Sequence, residues 1–563
     1  MLLKTMGLTA MLLSAAASAA PPAAIDKLTD EFVFENLALS PSSATQVGYH
    51  RHHGVELDDL LDDFSPKGIE AQLDLIKRFE AKLSALDASS LDAEGRADVD
   101  IMKTANDANK LELTEIKSYT HNPTVYVELL GSSLYNLYVL HSAPEPARFK
   151  HIIERLKHTP ELVRQAEANL IDAPEIWNRV AREENQGNIE LIDTTLKGAC
   201  PQALRGDFDA AAVDALTALK SFSGWLESTL SKKQGDWRLG KELYAKKFKL
   251  TLVTGKTPEE LLREAESDLT SVRAEMVKLA APKTVEQALA EVASHHATSV
   301  TYMDQARKDL AEATAFVKEK DLLSIPAHSN LKVIETPVFM RGGYGVGGFN
   351  SAPTLEPQLG AFYWVTPIGN DWPQARIDSK LREYNDSGLF HLTVHEAMPG
   401  HYVQAEFANA MEPRSRRLLR AIYGNGPYVE GWAVYVQQVM AEQGFKSDTL
   451  GYKLTLEKQM LRVLGNTILD VKLQTMAMSD QAAMDLMTHM TYQETEEATE
   501  KLQRAKLSSC QLPTYYAGYK GWIDVRKHAE TRLNAAFNLK AFHEAALREG
   551  AVPLPVLDQL INK

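Results

Sequence analysis

His391-Leu-Thr-Val-His395-Glu396-Ala-Met-Pro399-Gly400-His401 gathers three imidazoles and a carboxylate into one short stretch, and Glu430-Gly431-Trp432-Ala433 follows downstream. Two imidazoles and a carboxylate are a usual ligand set for catalytic zinc, with an open position for water and a further carboxylate to take its proton. In the common HExxH helix the two imidazoles are four apart and share a face. His395 and His401 are six apart, so at about 100° per residue they leave a regular helix in different directions. Pro399 has no N–H for the His395 carbonyl, and Gly400 reaches dihedrals that other residues avoid. A break at that pair can swing His401 back toward His395. Glu396, next to one ligand but rotated off its face, stands where a general base belongs. Two other readings stay open: His391 with His395 as the pair, which share a face without distortion, and a buried histidine set without metal. Glu430 opens a helix after Gly424-Asn-Gly-Pro427 and is the candidate third ligand; alone, it is also the carboxylate that a helix macrodipole favours.

Outward from this stretch the pattern is helical. From Ala24 to about Pro326 apolar residues recur every three or four positions, and Thr257-Pro258-Glu259-Glu260 and Thr284-Val-Glu-Gln287 read as capping boxes. After Asn385, helices are expected over about 386–410, 414–422, 429–443, 448–477, 480–507, 514–532 and 539–548, with Gly444 and Gly550 as stops. Between Asn330 and Pro367, β-branched and aromatic runs predict short strands at 332–336, 337–340 and 360–366. Gly343-Tyr344-Gly345-Val-Gly-Gly348 matches a dinucleotide fingerprint, but Phe349-Asn-Ser-Ala-Pro353 follows where a phosphate site needs a helix start. A loop beside a cleft, or a strand edge that a peptide could join, fits better. The fold class is therefore mainly α with a small sheet. A helical region over 21–328 and a catalytic region over 329–563 form one integrated unit. His50, His52 and His53 read as a solvated turn, and His295-His296 as structural.

The 563 residues carry a formal net charge of -14, which offers nothing to neutralise phosphate and argues against nucleic acid or anionic membrane as partner. Residues 1–20 have the Lys4 start, the short apolar centre to Leu13 and the small-residue end of a secretory leader, with cleavage after Ala19 or Ala20. No run reaches the roughly 18 apolar residues of a membrane span, and no cysteine lies near the cleavage point to carry a lipid. The mature chain is expected to be exported, periplasmic or extracellular. Cys200 and Cys510 are the only cysteines, and in an oxidising space they form one disulfide or remain two buried thiols. No G-x-S-x-G elbow or G-x-x-x-x-G-K-[ST] loop is present.

His395-Glu-Ala-Met-Pro-Gly-His401, followed by Glu430-Gly-Trp-Ala-Val-Tyr435, resembles the bacterial family called domain of unknown function 885, whose members are similar to glutamate-type zinc peptidases of the neurolysin and angiotensin-converting-enzyme type. The likeness extends to Pro41-Ser-Ser-Ala44-Thr45-Gln-Val-Gly48 near the start and to Phe537–His543 and Gly550–Leu554 near the end. The resemblance implies a two-lobed helical molecule with a deep channel, a small sheet along one wall and the metal at its floor. It further implies Zn2+ held by His395, His401 and Glu430, Glu396 as base, Tyr515 as donor to an oxyanion and Arg526 meeting a substrate carboxylate. Without it, Tyr515 beside Tyr516 and Tyr519 reads as packing, and Arg526 as a surface charge. An extended peptide would pair along the edge that bears Tyr344 and Tyr363. The expected function is a secreted zinc peptidase acting on short peptides. A non-catalytic helical peptide-binding protein and a metallohydrolase of another amide or ester are the alternatives, and binding alone has no use for Glu396.

Overall fold

A computed structural model describes residues 22–325, 330–341, 345–369, 371–446 and 449–562. The leader-like start and Tyr344 lie outside the described residues. Both capping boxes form: Thr257 and Glu260 exchange hydrogen bonds of 3.2 and 2.8 Å, and Thr284 and Gln287 of 3.2 and 3.1 Å. Each pair satisfies N–H groups that a helix start leaves without intrahelical partners.

A small hairpin near the start, β1 (Arg51–His52) and β2 (Val55–Glu56), matters for the site. His53 is exposed, as a solvated turn requires, but His50 is not. Its Nδ1 lies 2.7 Å from Asp58 and its Nε2 3.3 Å from Glu356. The Leu355 N–H donates to the Val47 carbonyl at 2.9 Å, so this clasp ties down the loop beyond the strand that overhangs the site. Hydrogen bonding to Asp58 and then to Glu356 pushes the imidazole up to about 10. Both acids favour the charged ring, so its contribution is full below the unfolded value of ~6.5 and is lost as pH rises through about 10. Thermal unfolding followed across that window should show a falling midpoint for the native chain and a flatter profile for His50→Gln; equal slopes would remove His50 from the account.

Helices α1 (Thr124–Val139) and α2 (Glu175–Glu190) belong to a lobe whose buried core runs from Tyr126 to Leu230. The other cores interleave distant segments: one joins residues 25–102 with 313–557, another 244–288 with 434–517. Cys200 lies in the first of these three cores and Cys510 in the third. Both are buried free thiols, which corrects the disulfide alternative.

The three strands β3 (Leu331–Glu335), β4 (Gly347–Asn350) and β5 (Ala361–Val365) form a sheet in the order β3-β5-β4. β3 runs parallel to β5, with Leu331 opposite Ala361; β4 runs antiparallel to it, with Phe349 opposite Tyr363. One expectation changes here and one open reading is decided. Residues 338–340 form a 3-10 turn rather than a strand, since Pro337 has no N–H to give a ladder. Of the two readings for the glycine-rich segment, the strand edge holds at Gly347–Asn350, because pairing with buried β5 supplies what its weak local pattern does not.

The remaining helices that build the site are α3 (Asp386–Glu396), α4 (His401–Asn409), α5 (Gly426–Glu442), α6 (Leu450–Thr475), α7 (Thr495–Leu507) and α8 (Pro513–Leu533). The helix expected over 386–410 is thus two. The one expected over 480–507 breaks where Tyr492 takes left-handed backbone (φ 56°), with no proline or glycine to announce it. A helix at Leu554–Ile561 follows Gly550, which does stop the previous one. Among the described residues no helix is long and apolar enough to cross a membrane.

Candidate metal centre

The turn between α3 and α4, Ala397 to Gly400, folds back onto the end of α3. A Cβ built on Gly400 would lie 1.9 Å from the His395 carbonyl oxygen and 2.3 Å from that of Val394, so no larger residue fits there undisturbed. The Trp432 indole N–H, from α5, donates to the carbonyls of Pro399 at 3.0 Å and Gly400 at 3.3 Å. The helix that carries Glu430 therefore also clamps the turn that delivers His401. The imidazoles of His395 and His401 stand 4.7 Å apart between centroids, crossed at 83°, and each Nε2 is 3.4 Å from Glu430 Oε2.

These three side chains offer ligand atoms that all lie within 4.8 Å of one another. Glu430 Oε2 is buried and has no hydrogen-bond partner, although both rings point at it. Ligand atoms ~2.0–2.1 Å from a tetrahedral ion stand about 3.3 Å apart, which is the spacing from this oxygen to the two nitrogens. The donor set of two imidazoles and a carboxylate fits zinc. Burial would neutralise Glu430, but the two imidazoles that face it at 3.4 Å outweigh this and hold the carboxyl far below its usual range. Burial likewise pulls His401 down, and Glu430 reverses this and leaves it raised. The cluster calls for positive charge, and a divalent cation can supply it in place of protons.

His391, the rival ligand, does not join the cluster. Its ring is fully buried, stacked 4.4 Å from that of Tyr452 on α6, and burial takes it down to about 4, so it stays neutral.

Tyr515 is placed by the contact between α5 and α8. A Cβ on Gly431 would lie 2.3 Å from the Gly518 backbone, and one on Gly518 would lie 2.0 Å from the Pro427 oxygen, so the two helices touch main chain to main chain. The Tyr515 ring then stacks at 6.0 Å on His395. Its hydroxyl accepts from Gln511 at 3.2 Å and from Arg504 at 3.3 Å, and Gln511 also donates to Glu430 Oε1 at 3.3 Å. With two N–H donors on its oxygen, the hydroxyl keeps its own proton for another acceptor. Burial, then the charge of Glu430, pushes the phenol up to about 12, which keeps that proton in place near neutral pH.

The cluster opens on a cavity of about 740 Å³. His395, Glu396, His401, Glu430 and Tyr515 all border it, as do Glu128 from α1, Glu184 from α2 and Phe349 of β4, whose ring faces His401 at 6.5 Å. Tyr363 does not: it is fully buried on the central strand, 3.2 Å from the Thr393 hydroxyl. Arg526 is held by Glu442 at 2.7 Å and Glu530 at 2.8 Å and is not part of the cavity wall. Both expectations are corrected: central strand β5 turns Tyr363 into the core, and two carboxylates occupy Arg526. Trp432 carries no role in the sequence reading, and Gln511 and Arg504 escape notice there: Gln511 precedes α8, so no helical spacing marks it.

A family profile described as bacterial protein of unknown function (DUF885) matches residues 41–561. The chain belongs to that family. A candidate lipoprotein of unknown function from Shewanella oneidensis has a similar structure, with 27% identity, a TM-score of 0.79 and coverage of 96% of this chain and 100% of that one. One from Colwellia psychrerythraea, also described as a candidate lipoprotein, shares the fold with 16% identity, a TM-score of 0.78 and coverage of 97% and 99%. No curated protein matches the chain.

Proposed function

We propose that this chain is an exported zinc-dependent peptidase that hydrolyses short peptides. What carries the reading is the meeting of His395, His401 and Glu430 around one point, with Glu396 and Tyr515 on the same cavity wall. Zinc held by those three residues would supply Lewis acidity to the scissile carbonyl and lower the pKa of a bound water. Glu396 takes a proton from the attacking water and later gives it to the leaving amine. Tyr515 turns its hydroxyl proton toward the oxygen on which negative charge develops. The outer edge of β4 presents backbone groups to which an extended peptide adds as a further strand, and this orients the scissile bond beside Glu396. The leader-like residues 1–20 favour action outside the cytoplasm.

A defined pool of short peptides, incubated with the purified chain before and after chelation and read by mass spectrometry, tests the proposal; chelator-sensitive cleavage supports it and an unchanged pool sinks it. Tyr515→Phe keeps the ring on His395 and removes the donor. Its kcat should fall by about 10- to 100-fold with KM changed by less than about threefold. An unchanged kcat would return Tyr515 to packing.

A further inference from the structure

Glu128 of α1 and Glu184 of α2 border the cavity that holds the metal centre. Glu184 also borders a second cavity of about 440 Å³, as does Gly347 of β4, so this acid stands where the two spaces join. Phe349, two residues along β4 from Gly347, is the ring that faces His401. At about 3.3 Å per residue, roughly 7 Å of extended backbone separates the two positions. A peptide laid along that strand passes from the metal centre to the junction.

The two acids lack a counter-charge. Glu184 is 6% exposed, and its Oε2 is buried without a hydrogen-bond partner. Glu128 stands among protein atoms, but its side chain is open to the cavity. Neither forms an ion pair among the described residues, and no cation lowers either. Burial raises Glu128 against a hydrogen bond from Thr124; burial, then Glu128 and Glu183, push Glu184 up to about 9. Near neutral pH a proton therefore stays on Glu184, and the negative charge of the pair rests on Glu128. The arginines on the same wall are engaged elsewhere. Arg420 is held by Glu94 at 2.7 Å and Asp98 at 2.8 Å, and Arg504 donates to Gln511 and Tyr515.

A buried carboxyl oxygen without a partner is costly, and so is a partly desolvated carboxylate without a cation. A cationic ligand removes both costs. A hard metal ion is poorly served here, since two carboxyls, one of them protonated, fall well short of the about six to eight oxygens that such ions take. An organic ammonium fits better, because it brings three N–H donors. Glu128, the unpartnered oxygen of Glu184 and the hydroxyl of Ser132 offer three acceptors; Ser132 lies one turn along α1 from Glu128 and borders the same cavity.

We propose that Glu128, with Glu184 and Ser132, seats a primary ammonium of the substrate: the free amino terminus of a short peptide or the side chain of a lysine within it. The seat rests on the peptidase reading above, and binding separates the two. In zinc-loaded Glu396→Gln protein, which holds peptide without cutting it, calorimetry is run with tetra-alanine, with N-acetyl-tetra-alanine, and with N-acetyl tetrapeptides that carry Lys at each position in turn. An amine-bearing peptide should bind on the order of 10- to 100-fold more tightly than N-acetyl-tetra-alanine. A gain in tetra-alanine places the amine at the amino terminus; a gain in a lysine peptide places it on that side chain. Adding Glu128→Gln should bring all of them within about threefold, and Glu128→Asp should keep part of the difference.

If no amine-bearing peptide outbinds N-acetyl-tetra-alanine by more than about threefold, the seat is overturned, and a Glu128→Gln variant that weakens every peptide alike overturns it too. Should Glu128→Gln fail to fold, Glu184→Gln takes its place with the same expectation. Amine discrimination that depends on Glu128, in a native chain that cuts no peptide, leaves the seat standing and removes the peptidase reading. Cutting of peptides that bind equally with and without an amine does the reverse.

Discussion

Glu396→Gln should retain one metal ion per chain and lose peptide cleavage, with kcat lower by a factor of ~100–10,000. The change keeps the shape of the side chain at the last residue of α3 and removes only its basicity. Glu396 borders the cavity beside His395 but is not one of the three converging ligands, so metal content and catalysis should separate. The checks are metal content by elemental analysis and initial rates on a peptide that the native chain cleaves. Rates equal to native would take the base role from Glu396, whereas loss of metal as well would mean that it is a ligand.

Gly400→Ala should have the second large effect, and it acts through geometry rather than chemistry. The added Cβ would meet the His395 and Val394 carbonyls at 1.9 and 2.3 Å, and main-chain atoms cannot step aside as a flexible side chain can. The turn must open, which strains the two Trp432 hydrogen bonds and carries the His401 ring away from Glu430. A cost of about 1–3 kcal/mol in stability is expected. Metal affinity should fall by about 100-fold or more, measured by chelator competition, while far-UV circular dichroism stays near native. Native affinity in this variant would mean that the turn does not set the ligand geometry.

The part of the site that was legible before the fold was known is the part written in local backbone chemistry. Pro399 and Gly400 announce a break in an otherwise regular helix, and the break restores a shared position to two imidazoles that ideal geometry would separate. Gly431, without a Cβ, permits a close helix approach, and Gly518 is the other half of it. What escaped depends on partners far away in the chain. β4 is a strand because β5 lies beside it, not because its glycine-rich run favours one. Tyr363 is expected on the edge that a peptide would join, but every residue of its strand is buried, and no alternation marks which face is free. Gln511 gains its role by touching Glu430 across 81 positions of sequence. Arg526, which only the family resemblance set against a substrate carboxylate, is instead neutralised by Glu442 from α5, 84 positions away.

The convergence of the two imidazoles on Glu430 is tested most directly by counting metal in the purified protein. One zinc per chain is expected, removable by chelation and absent from His401→Ala and from Glu430→Ala while their helicity persists. A native chain that takes up no divalent metal when zinc is supplied, or a His401→Ala variant that keeps its full complement, would contradict the account.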